Sequence, residues 1–185
     1  MDMDLTMLSL PQCENYIDKN YILPMIAFLR GERQSIATQK EFLDCRTAVN
    51  EQCDAHDRSS QVHQLYTRKL DAYFAGEIHP NLRGKFGEMF LLELVRQWDN
   101  YTIFTMLLNR LFDYININYV RSNFLDAFGK QCQKEFKNRV IIGLEAELQA
   151  AIADQITRDR NKEAINRDAL KTAIGVYVDL GKEGE

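Results

Sequence analysis

Few residues in this sequence have types that could perform chemistry, and their spacing does not favour it. Histidine occurs three times, at His56, His63 and His79. His56 and His63 lie seven positions apart, but we expect a helix boundary between them, and no H-E-x-x-H pattern is present. The spacing therefore predicts no metal site, and we interpret the three histidines as solvated surface residues.

The four cysteines are Cys13, Cys45, Cys53 and Cys132, and no two of them form a C-x-x-C pair. Zinc coordination is therefore not expected. Free cysteines are commonly buried, so we interpret all four as reduced structural residues of an intracellular protein. Cys53 and His56 could be imagined as a catalytic pair of nucleophile and base, but nothing in the sequence places them in a pocket.

Motifs for cofactor or nucleic-acid binding are missing from the sequence. It contains no Walker loop, no G-x-G-x-x-G after a strand and no G-x-S-x-G elbow, so we predict no cofactor. The net charge of −4 argues against a nucleic-acid surface. No apolar run reaches the ~18 residues of a membrane span. We interpret Trp98 as a core residue, because its spacing matches an apolar helical stripe.

The elements that must position any site are predicted to be helices. The chain has 185 residues, of which 45% are hydrophobic, with only three prolines and nine glycines. Thr38 and Glu41 form a capping-box pattern, and Asn166 is a candidate N-cap. The periodicity predicts helices over about 12–30, 38–54, from 59 or 60 onwards, 89–120, 128–158 and 166–181. We therefore predict a single all-α domain over 1–185, a bundle or solenoid of about seven helices.

Several segments together resemble the N-terminal repeat region of cullins, the scaffolds of multisubunit ubiquitin ligases. The resemblance covers about residues 12–181 and depends on the order and spacing of the segments. They are EFLDCRTAVNEQC at 41–53, QLYTRKLDAYF at 64–74, LVRQWDNY at 94–101, YININYV at 114–120, the Phe136–Lys137 pair, and RDRNKEAINRDALKTAIGVYVDLG at 158–181.

The resemblance implies one five-helix cullin repeat, followed by the opening helices of a second. It also implies a function without bond chemistry: the tip of the cullin stalk binds an adaptor that carries a substrate receptor. The most similar cullin uses a Skp-type adaptor with an F-box protein, which implies action in the cytoplasm or nucleus. The RING subunit is not expected to bind this segment.

The same resemblance implies that the docking face is built from the second and fifth helices. Carried over by position, the adaptor-binding residues are Phe42, Leu43, Arg46, Thr47, Asn50, Asn118 and Tyr119. The five positions in the second helix fall along one helical face. From the residues alone, Phe42 and Leu43 could equally face the core of the bundle.

Two departures from the family pattern concern this face. Arg46 and Asn50 stand where the family usually carries tyrosines, and Ile117 replaces a common arginine. The choice of adaptor is therefore open. Three alternatives to a scaffold segment also stay open: a truncated cullin paralogue that acts as an adaptor-binding decoy, a helical subunit of a tethering complex, and a small helical enzyme.

Overall fold

Helices account for almost all of the regular structure. The computed structural model describes residues 4–182. In this part of the chain, a short 3-10 turn at Leu5–Met7 precedes eight helices, which we number α1 to α8. They are α1 at 10–29, α2 at Gln39–Asp54, α3 at 59–82, α4 at Gly87–Leu111, α5 at 113–120, α6 at 128–142, α7 at Glu145–Arg160 and α8 at Arg167–Lys182. No strand occurs among residues 4–182, which confirms the all-α prediction.

Local side-chain caps start two of these helices, as the sequence predicts. Thr38 and Glu41 form a reciprocal capping box at the start of α2, with the Glu41 backbone N–H donating to Thr38 Oγ1 at 3.2 Å. The backbone N–H of Ala169 donates to Asn166 Oδ1 at 3.0 Å, which caps α8. Such caps satisfy backbone donors that have no partner inside the helix, so their sequence patterns mark helix starts.

Pro24 and Pro80 lie inside long helices without breaking them. Each follows a π-helical turn, Asp18–Ile22 in α1 and Phe74–Ile78 in α3. A proline normally clashes with the carbonyl four residues earlier and removes a backbone donor. In the wider π-helical turn before each proline, backbone N–H groups donate to the carbonyl five residues earlier instead of four. In α1, for example, the Leu23 N–H donates to the Asp18 carbonyl.

Two predicted long helices are in fact divided. The segment 89–120 breaks at Phe112, which is buried and separates α4 from α5. The single helix predicted over 128–158 is wrong, because α6 ends at Ile142 and Leu144 leaves the helical conformation. A side chain at Gly143 would clash with the carbonyl oxygen of Arg139, so the tight turn here requires glycine. With these two breaks, the six predicted helical segments become eight helices, against a predicted total of about seven.

The chain divides into two compact units. Unit 1 comprises Met1–Ala72 and Ile103–Gly129, and unit 2 comprises Tyr73–Thr102 and Lys130–Glu185. The single domain expected from the sequence stays a prediction. In unit 1, the rings of Tyr66 and Phe128 stack with centroids 3.6 Å apart, and the Tyr66 hydroxyl donates to Asn109 Oδ1 at 2.8 Å. This stack forms the aromatic centre of unit 1.

Aromatic side chains also form the centre of unit 2. Phe136 is fully buried and meets Trp98 edge to face, with centroids 4.7 Å apart. Tyr101 lies 5.0 Å from Phe136, and its hydroxyl donates to the Cys132 carbonyl at 2.8 Å. Trp98 is therefore part of an apolar cluster, as the helical stripe indicates.

A nearly buried lysine ties α1 to α3 within unit 1. Lys69 Nζ donates to Glu14 Oε1 at 2.7 Å and to Asp18 Oδ2 at 2.8 Å. Arg68 donates to the other Glu14 oxygen at 2.9 Å. Burial raises the pKa of Glu14, but the hydrogen bonds from Lys69 and Arg68 outweigh it and hold this pKa below its ordinary value. The ionised carboxylate is thus favoured in the folded state.

We expect Glu14→Gln to lower the free energy of unfolding by about 1–2 kcal/mol at pH 7, because it removes charge-assisted hydrogen bonds. The folded-state pKa of Glu14 is lowered, so its contribution is present above the ordinary value of 4.5 and is lost as the pH falls through the lowered value. The stability difference between wild type and variant should therefore shrink below pH 4.5. Urea unfolding at pH 7 and at stepwise lower pH measures it.

Glu32→Gln is the matched control, since Glu32 lies 3.9 Å from Arg30 at the surface of unit 1. We expect this variant to change stability by less than about 0.5 kcal/mol at either pH. A Glu14→Gln deficit that stays constant down to strongly acidic pH would contradict the role given to the Glu14 carboxylate.

Candidate protein-binding face

The second helix, α2, has a clear buried side and a clear outer side. Its buried residues are Cys45, Ala48, Val49, Gln52 and Cys53. They recur at helical spacing and face the core of unit 1. Leu43 and Thr47 lie on the side of α2 opposite this buried stripe, and both are exposed. Arg46 and Asn50 lie at the edge of that side. Of the five residues predicted on this helix, Leu43 and Thr47 therefore face outwards, and Arg46 and Asn50 are half-buried at the edge of the outer side.

Phe42 differs from its neighbour Leu43. The Phe42 ring is half-buried and lies 5.4 Å from the Tyr21 ring, centroid to centroid. It lines a small hollow of about 230 Å³ together with Leu107 and Arg110 of α4. Leu43, in contrast, keeps 48% of its surface exposed. Phe42 therefore lies on the packed side of α2, whereas Leu43 is exposed.

The fifth helix, α5, shows the same separation between neighbours. Asn118 is exposed, whereas Tyr119 is half-buried with its ring 5.7 Å from that of His63. Tyr114 and Ile117 share the outer stripe with Asn118 at three- and four-residue spacing. Ile117 is 54% exposed. Sequence reasoning missed Ile117 and Tyr114 as site residues, although their helical spacing from Asn118 could have indicated them.

Two polar contacts bring the outer sides of α2 and α5 together. Arg46 lies 3.8 Å from Asp113, the first residue of α5. The Tyr114 hydroxyl donates a hydrogen bond to Asp54, the last residue of α2. Residues 60 and more positions apart in the sequence are thereby neighbours in space. The second and fifth helices thus form one continuous surface of unit 1.

We call this surface the α2–α5 face. Its residues are Leu43, Arg46, Thr47 and Asn50 from α2 and Tyr114, Ile117 and Asn118 from α5. Among the residues described, Asn50 Oδ1 is one of three buried side-chain atoms without a hydrogen-bond partner. The face therefore combines two exposed apolar side chains with the Arg46–Asp113 ion pair, and the Asn50 acceptor is buried beneath its surface.

The cysteine and histidine side chains are buried or half-buried. The four cysteines are buried and free, and burial raises the pKa of Cys13 and Cys45 to about 12, so their thiols stay protonated. The three histidines are half-buried rather than solvated, which corrects their sequence-based interpretation. Over the part of the chain that the structure describes, no group of three metal-ligating residues occurs.

Unit 2 contains a larger groove. Its volume is about 780 Å³, and its lining includes Phe86, Met89 and Ala150. The charged residues at its edge include Arg158, which pairs with Glu88 at 3.3 Å. The carboxylates of Glu147 and Asp154 also line this groove. Separately, none of the described helices is long and apolar enough to cross a membrane.

Comparisons with known proteins agree with the helical architecture. The family model described as the cullin alpha solenoid domain matches residues 26–185. Cullin-1 of Oryza sativa subsp. japonica is 24% identical to this chain, and the match covers 83% of the chain and 21% of that protein. Putative cullin-like protein 2 of Arabidopsis thaliana is 28% identical, with 86% of the chain and 44% of that protein covered.

Cell division control protein 53 of Saccharomyces cerevisiae is 27% identical over 88% of the chain and 23% of its own length. The chain thus spans between about a fifth and less than half of the length of these three relatives. Because the family model covers most of the sequence in one continuous match, this chain belongs to the cullin family.

Proposed function

We propose that this chain is a non-catalytic scaffold segment of a cullin-type ubiquitin ligase, and that its α2–α5 face binds a Skp-type adaptor carrying an F-box protein. Membership of the cullin family supports the scaffold role. The resemblance in sequence implies that the docking face consists of the second and fifth helices. In this chain those helices are in contact through Arg46–Asp113 and Tyr114–Asp54.

The observation that carries the proposal is the pair of exposed apolar side chains on this face. Leu43 and Ile117 are 48% and 54% exposed and come from the two helices that meet at the Arg46–Asp113 pair. Exposed aliphatic side chains can contribute to a protein interface, because binding removes them from water while a polar rim stays hydrated.

The departures from the family pattern change which residues can act as anchors. Arg46 and Asn50 replace tyrosines, and Arg46 is engaged with Asp113. We therefore expect the affinity to come mainly from the exposed side chains of Leu43 and Ile117. Phe42 and Tyr119 contribute indirectly, since they pack against Tyr21 and His63 and hold the two helices in place.

In this proposal the chain acts by positioning its partners. The segment holds an adaptor and its substrate receptor at one end of a longer scaffold, and bond chemistry takes place on other subunits. The RING subunit is not expected to bind these residues. A scaffold needs rigid helices rather than reactive groups, and the buried thiols and aromatic cores of both units agree with that requirement.

Calorimetric titration of the purified chain with a Skp-type adaptor, alone and in complex with an F-box protein, tests the proposal. We expect saturable binding of one adaptor per chain, with a negative heat-capacity change because apolar surface is buried. The complete absence of binding to both forms of the adaptor would overturn the proposed partner, while leaving the family membership intact.

A further inference from the structure

The groove in unit 2 has apolar side chains that are exposed to solvent. Its lining comes from residues 86–89, at and just before the start of α4, and from one side of α7. Phe86 and Met89 both line it and are 76% and 61% exposed. Scattered apolar side chains are normal on a protein surface, but two of this size in one concave groove indicate a site for an apolar partner group.

The side of α7 that lines the groove carries short side chains. Ala146, Ala150 and Ala151 recur on this side at helical spacing. Since alanine side chains are short, a second helix can approach α7 closely here. The lining residues of α7 run from Ala146 to Arg158, which corresponds to about 18 Å along the helix axis. The groove therefore matches the length of about three helical turns.

The charged side chains of the groove are mainly acidic. Glu88, Glu147 and Asp154 contribute carboxylates to its lining, and Arg158 contributes a guanidinium group. Arg158 pairs with Glu88 at 3.3 Å and with Glu163 at 3.1 Å, so its charge is already compensated. Glu147 and Asp154 form no ion pair with any residue in the described part of the chain. Two negative charges therefore remain in the groove.

These two carboxylates belong to the same side of α7. Glu147 and Asp154 are seven residues apart, which is two helical turns and about 10 Å along the axis. Arg83 and Lys85 line a neighbouring hollow together with Glu147, but Arg83 is exposed and Lys85 is held by Glu93 at 2.6 Å. Both therefore screen Glu147 only weakly. A groove with this negative charge attracts a positively charged partner.

We propose that this groove binds an amphipathic helix with basic residues, presented by another protein. The apolar side chains of that helix contact Phe86 and Met89, and lysine or arginine residues about two turns apart pair with Glu147 and Asp154. An acidic helix of the same shape is disfavoured, because it meets like charges. All residues of this interface lie in unit 2, so it is separate from the α2–α5 face.

Fluorescence anisotropy of a labelled synthetic peptide tests the proposal with the full chain. The probe is an amphipathic helix of about 18 residues, with leucines along one side and lysines flanking them. A second probe carries glutamate in place of every lysine. We expect the lysine peptide to bind with saturation at one peptide per chain, and its affinity to fall as the salt concentration rises from about 0.05 to 0.5 M. The glutamate peptide should bind at least about tenfold more weakly.

Two double variants separate the groove from the net charge of the protein. Glu147→Gln with Asp154→Asn should weaken binding of the lysine peptide by roughly three- to tenfold, since it removes both ion pairs. Glu32→Gln with Glu145→Gln changes the net charge by the same amount at exposed positions outside the groove, and should bind like wild type. Equal affinities of the two double variants would overturn the acidic groove as the binding site.

Removing the apolar side chains of the groove is the second test. Phe86→Ala with Met89→Ala should weaken binding by about tenfold or more without lowering Tm, because both side chains are exposed in the free protein. Unchanged affinity in this variant would overturn the proposed site. Tight binding of the glutamate peptide would overturn the basic partner, and a wild-type dimer that this variant dissociates would assign the groove to a second copy of the chain.

Discussion

Replacing Leu43 with aspartate is expected to abolish adaptor binding without reducing the stability of the fold. Leu43 is exposed on the outer arc of α2, so the charged side chain remains hydrated in the free protein. In the complex, the same carboxylate would be buried without a partner against an apolar pocket. Loss of the anchor and burial of a charge should together cost at least about 3 kcal/mol, a weakening of more than a hundredfold. Titration calorimetry measures the affinity, and circular dichroism measures Tm.

Two comparisons make this result specific to the α2–α5 face. Leu92→Asp introduces the same charge at another exposed leucine, in unit 2, and should bind the adaptor like wild type. Phe42→Ala should instead lower Tm, because it removes the contact with Tyr21. Adaptor binding that survives in Leu43→Asp would move the docking site away from α2.

Phe136→Ala is expected to produce the largest loss of stability. Phe136 is fully buried and contacts the rings of Trp98 and Tyr101. Truncating a buried phenylalanine removes its transfer free energy and leaves a cavity, so the free energy of unfolding should fall by about 3–5 kcal/mol. Tm should fall by roughly 10 °C. Urea unfolding followed by fluorescence reports directly on this site, because Trp98 is the only tryptophan of the chain.

Phe86→Ala in the same unit is the control for this variant. Phe86 is largely exposed, so its truncation should change the unfolding free energy by no more than about 0.5 kcal/mol. Equal effects of the two substitutions would show that the aromatic cluster around Phe136 does not stabilise unit 2.

Local signals in the sequence were sufficient for the fold class and for several helix starts. The Thr38–Glu41 capping box and the Asn166 cap depend only on residues three positions apart, so their patterns can be read directly. The breaks at Phe112 and Gly143 were missed, because apolar residues continue at helical spacing through both positions. What ends those helices is the packing of a buried side chain and a tight turn, which periodicity does not reveal.

The sequence by itself determined that the chain is helical, that it carries the segments of a cullin repeat and which stretch of α2 to consider for binding. Only the tertiary structure decided between neighbours such as Phe42 and Leu43 or Asn118 and Tyr119. Adjacent residues on a helix point about 100° apart, and which of them is buried depends on the helices packed beside them. The contacts of Arg46 with Asp113 and of Tyr114 with Asp54 join residues distant in sequence, so the α2–α5 face exists only in the folded chain.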